Sequence, residues 1–232
     1  MSTPNSQNVS VGKPHGAGGR YAGGAWWGLA GTAKIPTDAV TALDETLTDL
    51  GYLSEDGVTN TIETDSSDIT AFGGDRVLSV ITSRSESFQF GMLETTEDTL
   101  KLVYGADNVT VTGDGESKTI SVKHNGNAMN QRIVLVFEFA LTGNRVKRIV
   151  VPNGTLGELD DVAYQDGEAI VYTPTINALP DADGNTAYEY IAYVHAPALE
   201  NLMNVYSDAE APSLDKAAQA AENAAQDVAP AA

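Results

Sequence analysis

The sequence predicts a mainly β fold with some α: a β-sandwich or barrel-like body, a flanking helix, a long projecting hairpin and flexible terminal arms. Three observations carry that prediction. Apolar residues alternate with polar ones in short segments along 107–195, and turn dipeptides separate the segments. One segment, 77–92, keeps period two for its whole length. Two stretches, near 37–50 and 95–104, carry apolar residues at helical spacing and stop at glycines. A chain of 232 residues can bury a large core and needs no staples. It has no cysteine, so disulfide scaffolds and thiolate metal sites are excluded.

The N-terminal arm comes first. Residues 1–24 are polar and glycine-rich and read as flexible. The run lacks a preceding strand and the Gly-Lys-Ser/Thr ending of a phosphate loop. It also lacks the apolar segment of a signal peptide, which makes the cytoplasm the expected place of synthesis. Ala25, Trp27 and Leu29 alternate with Trp26 and Gly28 as a short strand that opens the body, residues 25–198. Of the two tryptophans, one is expected in the core; the other is a surface aromatic or an interface anchor.

Pro36-Thr37-Asp38-Ala39 predicts a helix start, and Val40, Leu43, Leu47 and Leu50 form its apolar stripe up to Gly51. The hairpin follows within 58–92. It runs out from Val58, turns at Gly73-Gly74-Asp75 and returns from Val77, the paired glycines supplying positive φ. On the return strand Val80, Thr82, Arg84, Glu86, Phe88, Phe90 and Met92 share one face. Ile81, Ser83, Ser85, Ser87, Gln89 and Gly91 share the other. So long a two-stranded ribbon is marginal alone and calls for support, most simply from another copy of the chain.

Thr95 or Thr96 starts a second short helix carrying Leu100, Val103 and Tyr104. Beyond Gly105 the strands read as 107–112, 118–124, 131–141, 145–151, 155–163, 168–177 and 187–195. Their turns fall at Asp114-Gly115, Asn125-Gly126, Gly143-Asn144, Asn153-Gly154, Asp166-Gly167 and Asp183-Gly184. Strand 131–141 is apolar on both faces, hence covered on both. Residues 199–232 form an alanine-rich extension whose helix is marginal by itself.

Little in the chain points to bond chemistry. His15, His124 and His195 read as isolated residues without metal-ligand spacing. Asp181-Ala182-Asp183-Gly184-Asn185 resembles half a calcium loop, but Ala192 stands where the closing glutamate belongs, which favours a turn. Glu158, Asp160, Asp161, Asp166 and Glu168 could hide a glycosidase pair, yet no aromatic cleft surrounds them. No metal or cofactor is expected. No apolar run approaches the ~20 residues of a membrane helix.

Net charge is −19, unevenly spread. Residues 1–34 carry three basic and no acidic residues, whereas 155–232 carry one basic and 14 acidic. A solvated acidic surface is the plain reading; an acidic wall past which a polyanion slides is the sharper one. Lys118, Lys123, Arg132, Arg145, Lys147 and Arg148 cluster in sequence and read as partners for carboxylates of neighbouring copies.

One set of motifs goes further. It comprises Gly31-Thr32, Pro36-Thr37-Asp38-Ala39, 51–58 (GYLSEDGV), 69–75 (ITAFGGD), 100–105 (LKLVYG) and Tyr188-Glu189-Tyr190. In this order and spacing, over roughly residues 24–195, the chain resembles the major tail tube protein of long-tailed, non-contractile bacteriophages. Its glycine-rich, Trp-Trp lead-in at 16–28 departs from that pattern.

The resemblance implies a non-enzymatic structural subunit of the virion tail, assembled in the host cytoplasm as hexameric rings stacked into a tube. Tape-measure, tail-tip and tail-terminator proteins would be its partners. DNA would pass through the lumen on ejection without specific binding, and no membrane would be involved. On that reading Glu63, Asp65, Asp68, Gly73, Gly74, Asp75 and Arg76 belong to a hairpin that contacts the adjacent ring. Ser83, Ser85, Ser87 and Gln89 are the candidate lumen face, an outer solvent-exposed sheet being the alternative. Lys13 and Arg20 would dock the N-terminal arm. A contractile-tail or secretion-system tube is the nearest alternative function. Less favoured are a carboxylate-dependent glycosidase and a calcium-dependent module using Asp181 and Asp183.

Overall fold

In the computed structural model of the chain, residues 6–16, 23–126 and 130–194 are described. The frame is a hairpin of β8 (Ile133–Leu141) and β9 (Arg145–Leu159), closed by Gly143 (φ 79°) and Asn144 (φ 55°). Leu141 pairs with Arg145, so the loop is Thr142-Gly143-Asn144, and its last two residues have the positive φ that glycine and asparagine adopt most readily. Gly143-Asn144 thus turns where the sequence placed it. Asn153-Gly154 does not turn: it lies inside β9, which runs on as one strand and merges two predicted ones. Gly154 is there for space. A Cβ on it would lie 2.9 Å from Ile176 Cγ2 and 3.1 Å from Ile133 Cγ1. The glycine lets three strands crowd together and serves packing.

Nine of the described strands form one sheet, in the order β3-β2-β8-β9-β10-β5-β4, with β1 (Gly12–Pro14) added to β8 and β11 to β9. β2 is Ala25–Leu29, β3 Thr48–Asp49, β10 Pro174–Ala178 and β11 Tyr188–Tyr193. β4 (Leu53–Thr70) and β5 (Arg76–Met92) are the longest hairpin. The sheet curls over itself, so that β5 faces β8 across the core. Phe88 and Phe90 of β5 lie 5.8 and 5.1 Å, ring to ring, from Phe137 of β8. The mainly β expectation stands, built from one folded-over sheet with a small hairpin, β6 (Val109–Thr112) and β7 (Thr119–Val122), beside it.

The core beneath the curl takes Phe88, Phe90 and Met92 from β5, Ile133, Leu135 and Phe137 from β8, and Val151, Leu156 and Ile176 from β9 and β10. It is covered by α1 (Glu97–Tyr104), the second predicted helix. Thr96 caps it by accepting from Thr99 N, Glu97 and Asp98 sit in its first turn, and Gly105 (φ 90°) stops it. Leu100, Leu102 and Val103 are the face it buries.

The first predicted helix is absent: residues 36–47 are irregular, and 48–49 form β3. Local hydrogen bonding explains it. The Asp38 carboxylate accepts from Val40 N, Thr41 N and Thr41 Oγ1, and Asp44 accepts from Thr46 N and Oγ1. Such side-chain turns compete directly with helical bonding. Arg148 then takes the carbonyls of Asp38 and Thr41, each at 2.7 Å, removing acceptors that a helix would use. The apolar stripe is also split. Leu47 packs behind the sheet with Trp26, Val134, Val136 and Val150, Leu50 enters the main core, and Val40 is exposed.

This segment gives β8 its second cover, so the strand is buried on both faces as its sequence requires. Both tryptophans are buried, Trp27 in the main core and Trp26 under the 36–47 segment. Neither is a surface aromatic or an interface anchor. Within the arm read as flexible, Gly12–Pro14 is β1 and pairs with Phe139–Leu141. β2 ends opposite Phe137, so without β1 that edge of β8 would be open. His15, expected to be isolated, instead meets buried Glu138 at 3.3 Å. Arg20, His195 and the extension 199–232 lie outside the described residues.

Candidate lumen face and assembly arm

The four polar residues singled out on the return strand share a face, and strand register extends it. Gln89 lies beside Thr59 of β4 and Thr175 of β10, and Thr175 beside Glu158 of β9. Ser87 lies beside Thr61 and Asn177, and Asn177 beside Thr155. Further out, Ser85 pairs with Glu63 and Ser83 with Asp65. Directly paired residues point to the same side of a sheet. β4, β5, β10 and the end of β9 therefore present one surface of serine, threonine, asparagine, glutamine and carboxylate. Their other side carries Phe88, Ile176 and Leu156 into the core.

The surface is tied internally. Gln89 Nε2 donates to Thr175 Oγ1 at 3.2 Å and Asp160 Oδ2 at 3.3 Å, and Ser83 donates to Asp65 at 2.7 Å. At Gly157 a Cβ would meet Asn177 Nδ2 at 2.4 Å, so the amide lies flat across that glycine. Ser83 and Ser85 are exposed; Ser87 and Gln89 are half-buried. Glu63, Asp65, Glu158 and Asp160 add carboxylates, and none of these positions is lysine or arginine.

The four residues read from the sequence lie on one strand of the four that form this surface. Thr59, Thr61, Thr155, Glu158, Thr175 and Asn177 complete it from the other three strands. Alternation in 59–65 (T-N-T-I-E-T-D) was a readable signal for β4. On β9 no parity argument could work, because its register with β10 shifts between Thr175 and Ile176.

Beyond this face the β4–β5 hairpin leaves the body. Every residue from 59 to 85 is exposed. Gly73 (φ 114°) and Gly74 (φ 98°) make the turn, and Arg76 meets Asp68 at 3.0 Å beside it. Hydrogen bonds from Ser79 and Arg76 hold the Asp68 carboxyl below its ordinary range. Asp65 and Ser66 pair with Ser83 and Ile81, so Thr82 is an extra residue in β5. That bulge corrects the simple parity reading. Past it Val80 changes sides and joins Leu78 and Ile69 opposite the side expected, while Ile81 leaves the polar face. The arm carries Ile69, Phe72, Val77, Leu78, Val80 and Ile81 in the open, with Phe72 fully exposed.

The arm's root is anchored. Buried Glu86 accepts from Asn60 at 3.0 Å, from Arg84 at 3.1 Å and from Thr186. Burial pushes its carboxyl up, but the bonds from Thr186, Asn60 and Arg84 outweigh that, and the net shift is downward.

Four of the six residues of the basic cluster have contacts inside the chain. Lys118 pairs with Glu97 and Lys147 with Glu189, both at 2.8 Å. Arg148 is buried against Glu138 as well as the two loop carbonyls. Arg145 donates to Thr142 O and Ser10 Oγ and lies 5.9 Å from the Tyr193 ring centre. The His124 ring lies 4.3 Å from that of Tyr104, tilted by 32°. The half calcium loop is a turn: Asp181 accepts from Asp183 N, Asn185 N and Tyr188 OH, which lower its pKa. Among the described residues no group of histidine and carboxylate side chains is arranged to hold a metal. No described helix is long and apolar enough to cross a membrane.

Two solved structures are similar in outline. One is the tube-terminating cap of the anti-feeding prophage, with 11% identity and a TM-score of 0.37 over 71% of this chain and 95% of that one. The other is from the sheath–tube complex of the extracellular contractile injection system PVC, with 8% identity and a TM-score of 0.35 over 73% and 88%. No curated protein sequence matches. The family model of the phage tail tube protein matches residues 22–199, which spans the described body from β2 through β11, and the chain belongs to the phage tail tube protein family.

Proposed function

We propose that the chain is the repeating subunit of a non-contractile phage tail tube, built as stacked hexameric rings through which DNA leaves the virion. The observation that carries this reading is the four-stranded polar face. A surface of small hydroxyl and amide side chains with carboxylates, free of cations, is what a DNA conduit needs. Lysine or arginine at the wall would bind phosphate and hold the DNA. Repulsion from carboxylates reaches roughly 8 Å at physiological salt, so it coats a wall without blocking the bore.

Sheet edges support closure into a ring. Among the described strands β4 has a neighbour on one side only, β5. β8 begins at Ile133, opposite Gly154, so β9 runs on beyond it with β10 alone as its described strand neighbour. Pairing β4 of one copy with that end of β9 in the next makes the polar face continuous and removes two edges that would invite aggregation. The arm then reaches the adjacent ring. From Asn60 to Thr70 it extends roughly 35 Å. No step in this work makes or breaks a covalent bond.

Electron microscopy of the purified chain tests the proposal. Six-fold rings or hollow tubes are expected; a chain that remains monomeric at high concentration counts against it. Co-purification of a sheath protein with the tubes from infected cells would move the reading to a contractile tail.

A further inference from the structure

We propose that the tip of the arm docks on one particular surface of a copy in the next ring: the end of the sheet formed by β1, β8, β9 and β11. This rests on the tube reading and names the receiving site. On one face of that sheet end, register places Leu141 beside Arg145 and Tyr193, and Phe139 beside Lys147 and Ile191. Gly12 and Pro14 of β1 extend the two rows. Below the rows Phe137 and Ile149 are buried in the core, and Phe139 still packs partly against it. From there the rows carry the apolar face outward through half-buried Leu141 to exposed Ile191 and Tyr193. Ile191 and Tyr193 are 54% and 74% exposed. An exposed apolar patch rimmed by charge marks an interaction surface.

The tip matches it in chemistry. Its apolar side chains are Ile69, Phe72, Val77, Leu78 and Val80, with Phe72 projecting farthest. Residues 65–76 hold three carboxylates (Asp65, Asp68, Asp75) against one guanidinium, Arg76. The receiving rows hold two cations, Arg145 and Lys147, with Glu189 beside Lys147. In a chain of net charge −19, a locally positive apolar surface is a natural seat for an acidic apolar tip of the same chain. The hairpin is anchored at its root by Glu86, and every residue of the tip is exposed.

The chain has no cysteine, so two introduced thiols report unambiguously. Ala71→Cys puts one beside Phe72 without removing it, and Ile191→Cys puts one on the receiving face. The two single variants are mixed, assembled, and treated with a short bismaleimide. The expected result is a covalent dimer between the two variants in tubes and none in unassembled protein. A control pairing Ala71→Cys with Tyr164→Cys, at a position more exposed than Ile191, gives none. Tubes that form without the 71–191 link, or that link 71 to 164 instead, overturn the docking and leave the tube reading intact. Absence of tubes from the unaltered chain overturns both. The alternative occupant is the extension 199–232 of the same chain. If its deletion from the Ile191→Cys variant raises the reactivity of the introduced thiol severalfold in the monomer, the extension covers the face and the proposal is wrong. Arg145→Glu is a second, independent probe: it should abolish stacked tubes while rings persist, and unchanged tubes overturn the docking.

Discussion

Single side chains decide two features that patterning alone misassigns. Gly154 sits in a dipeptide that spells a turn, yet Ile133 and Ile176 press on it from two neighbouring strands. Gly154→Ala should therefore destabilise the fold by about 1–3 kcal/mol through overpacking, measured as a shift in thermal midpoint. A residue there for turning would tolerate the change poorly only at positive φ, and Gly154 is not among the positive-φ glycines. Asp38 decides the second feature. Hydrogen bonds from the Thr41 hydroxyl, Thr41 N and Val40 N, with help from Arg148, lower its pKa from 3.8 to about 2. A depressed carboxyl stabilises the fold above its unfolded pKa, and the contribution is lost as pH falls through the folded value. The 36–47 segment should thus loosen over Trp26 between about pH 4 and pH 2. Quenching of tryptophan fluorescence by acrylamide should rise in that window. Thr41→Val, which removes the largest cause, should move the rise to higher pH; an unmoved rise would show that Asp38 does not hold the segment.

At the scale of elements, legibility followed the range of the forces involved. The arm, the β8–β9 turn and α1 were readable because each is set by neighbours in sequence: paired glycines, period two, a threonine cap and a stop glycine. The stretch 36–50 had a helical stripe and failed as a helix. Its competitors were a turn between Asp38 and Thr41, three residues apart, and an arginine about 110 residues away. The bulge at Thr82 was invisible for the same reason: it exists only in the pairing of two strands. The candidate lumen face was half legible, since parity gave Ser83, Ser85, Ser87 and Gln89, while Thr175, Asn177 and Glu158 join them only through register. The arm yields a clean prediction because none of residues 59–85 is buried. Replacing 66–77 with a two-residue turn removes no core contact. Unfolding free energy should change by no more than about 0.5 kcal/mol, as for surface changes generally. Stacked tubes should disappear while monomers or single rings remain folded by circular dichroism. Normal tubes from this variant would remove the arm from assembly.

At the scale of the whole molecule, charge is the quantity that repetition multiplies. The polar face has carboxylates at Glu63, Asp65, Glu158 and Asp160, and Ser85 stands among them, exposed and directly opposite Glu63. In a six-fold ring Ser85→Arg would place six guanidinium groups on the bore, and stacking would repeat them along its length. Each could pair with a passing phosphate. Part of that attraction would be spent on Glu63 across the strand pair, because opposite charges facing each other on a sheet interact. Ser85→Arg combined with Glu63→Gln should therefore act more strongly than Ser85→Arg alone, an ordering that general surface disruption would not produce. Tubes should still assemble, since the side chain lies on a face of the hairpin and away from its tip. DNA release from reconstituted virions, followed with an intercalating dye, should slow, more at low salt than at high. If both variants assemble and eject at the normal rate in low salt, the polar face lies outside the bore, and the open sheet surface reading replaces it.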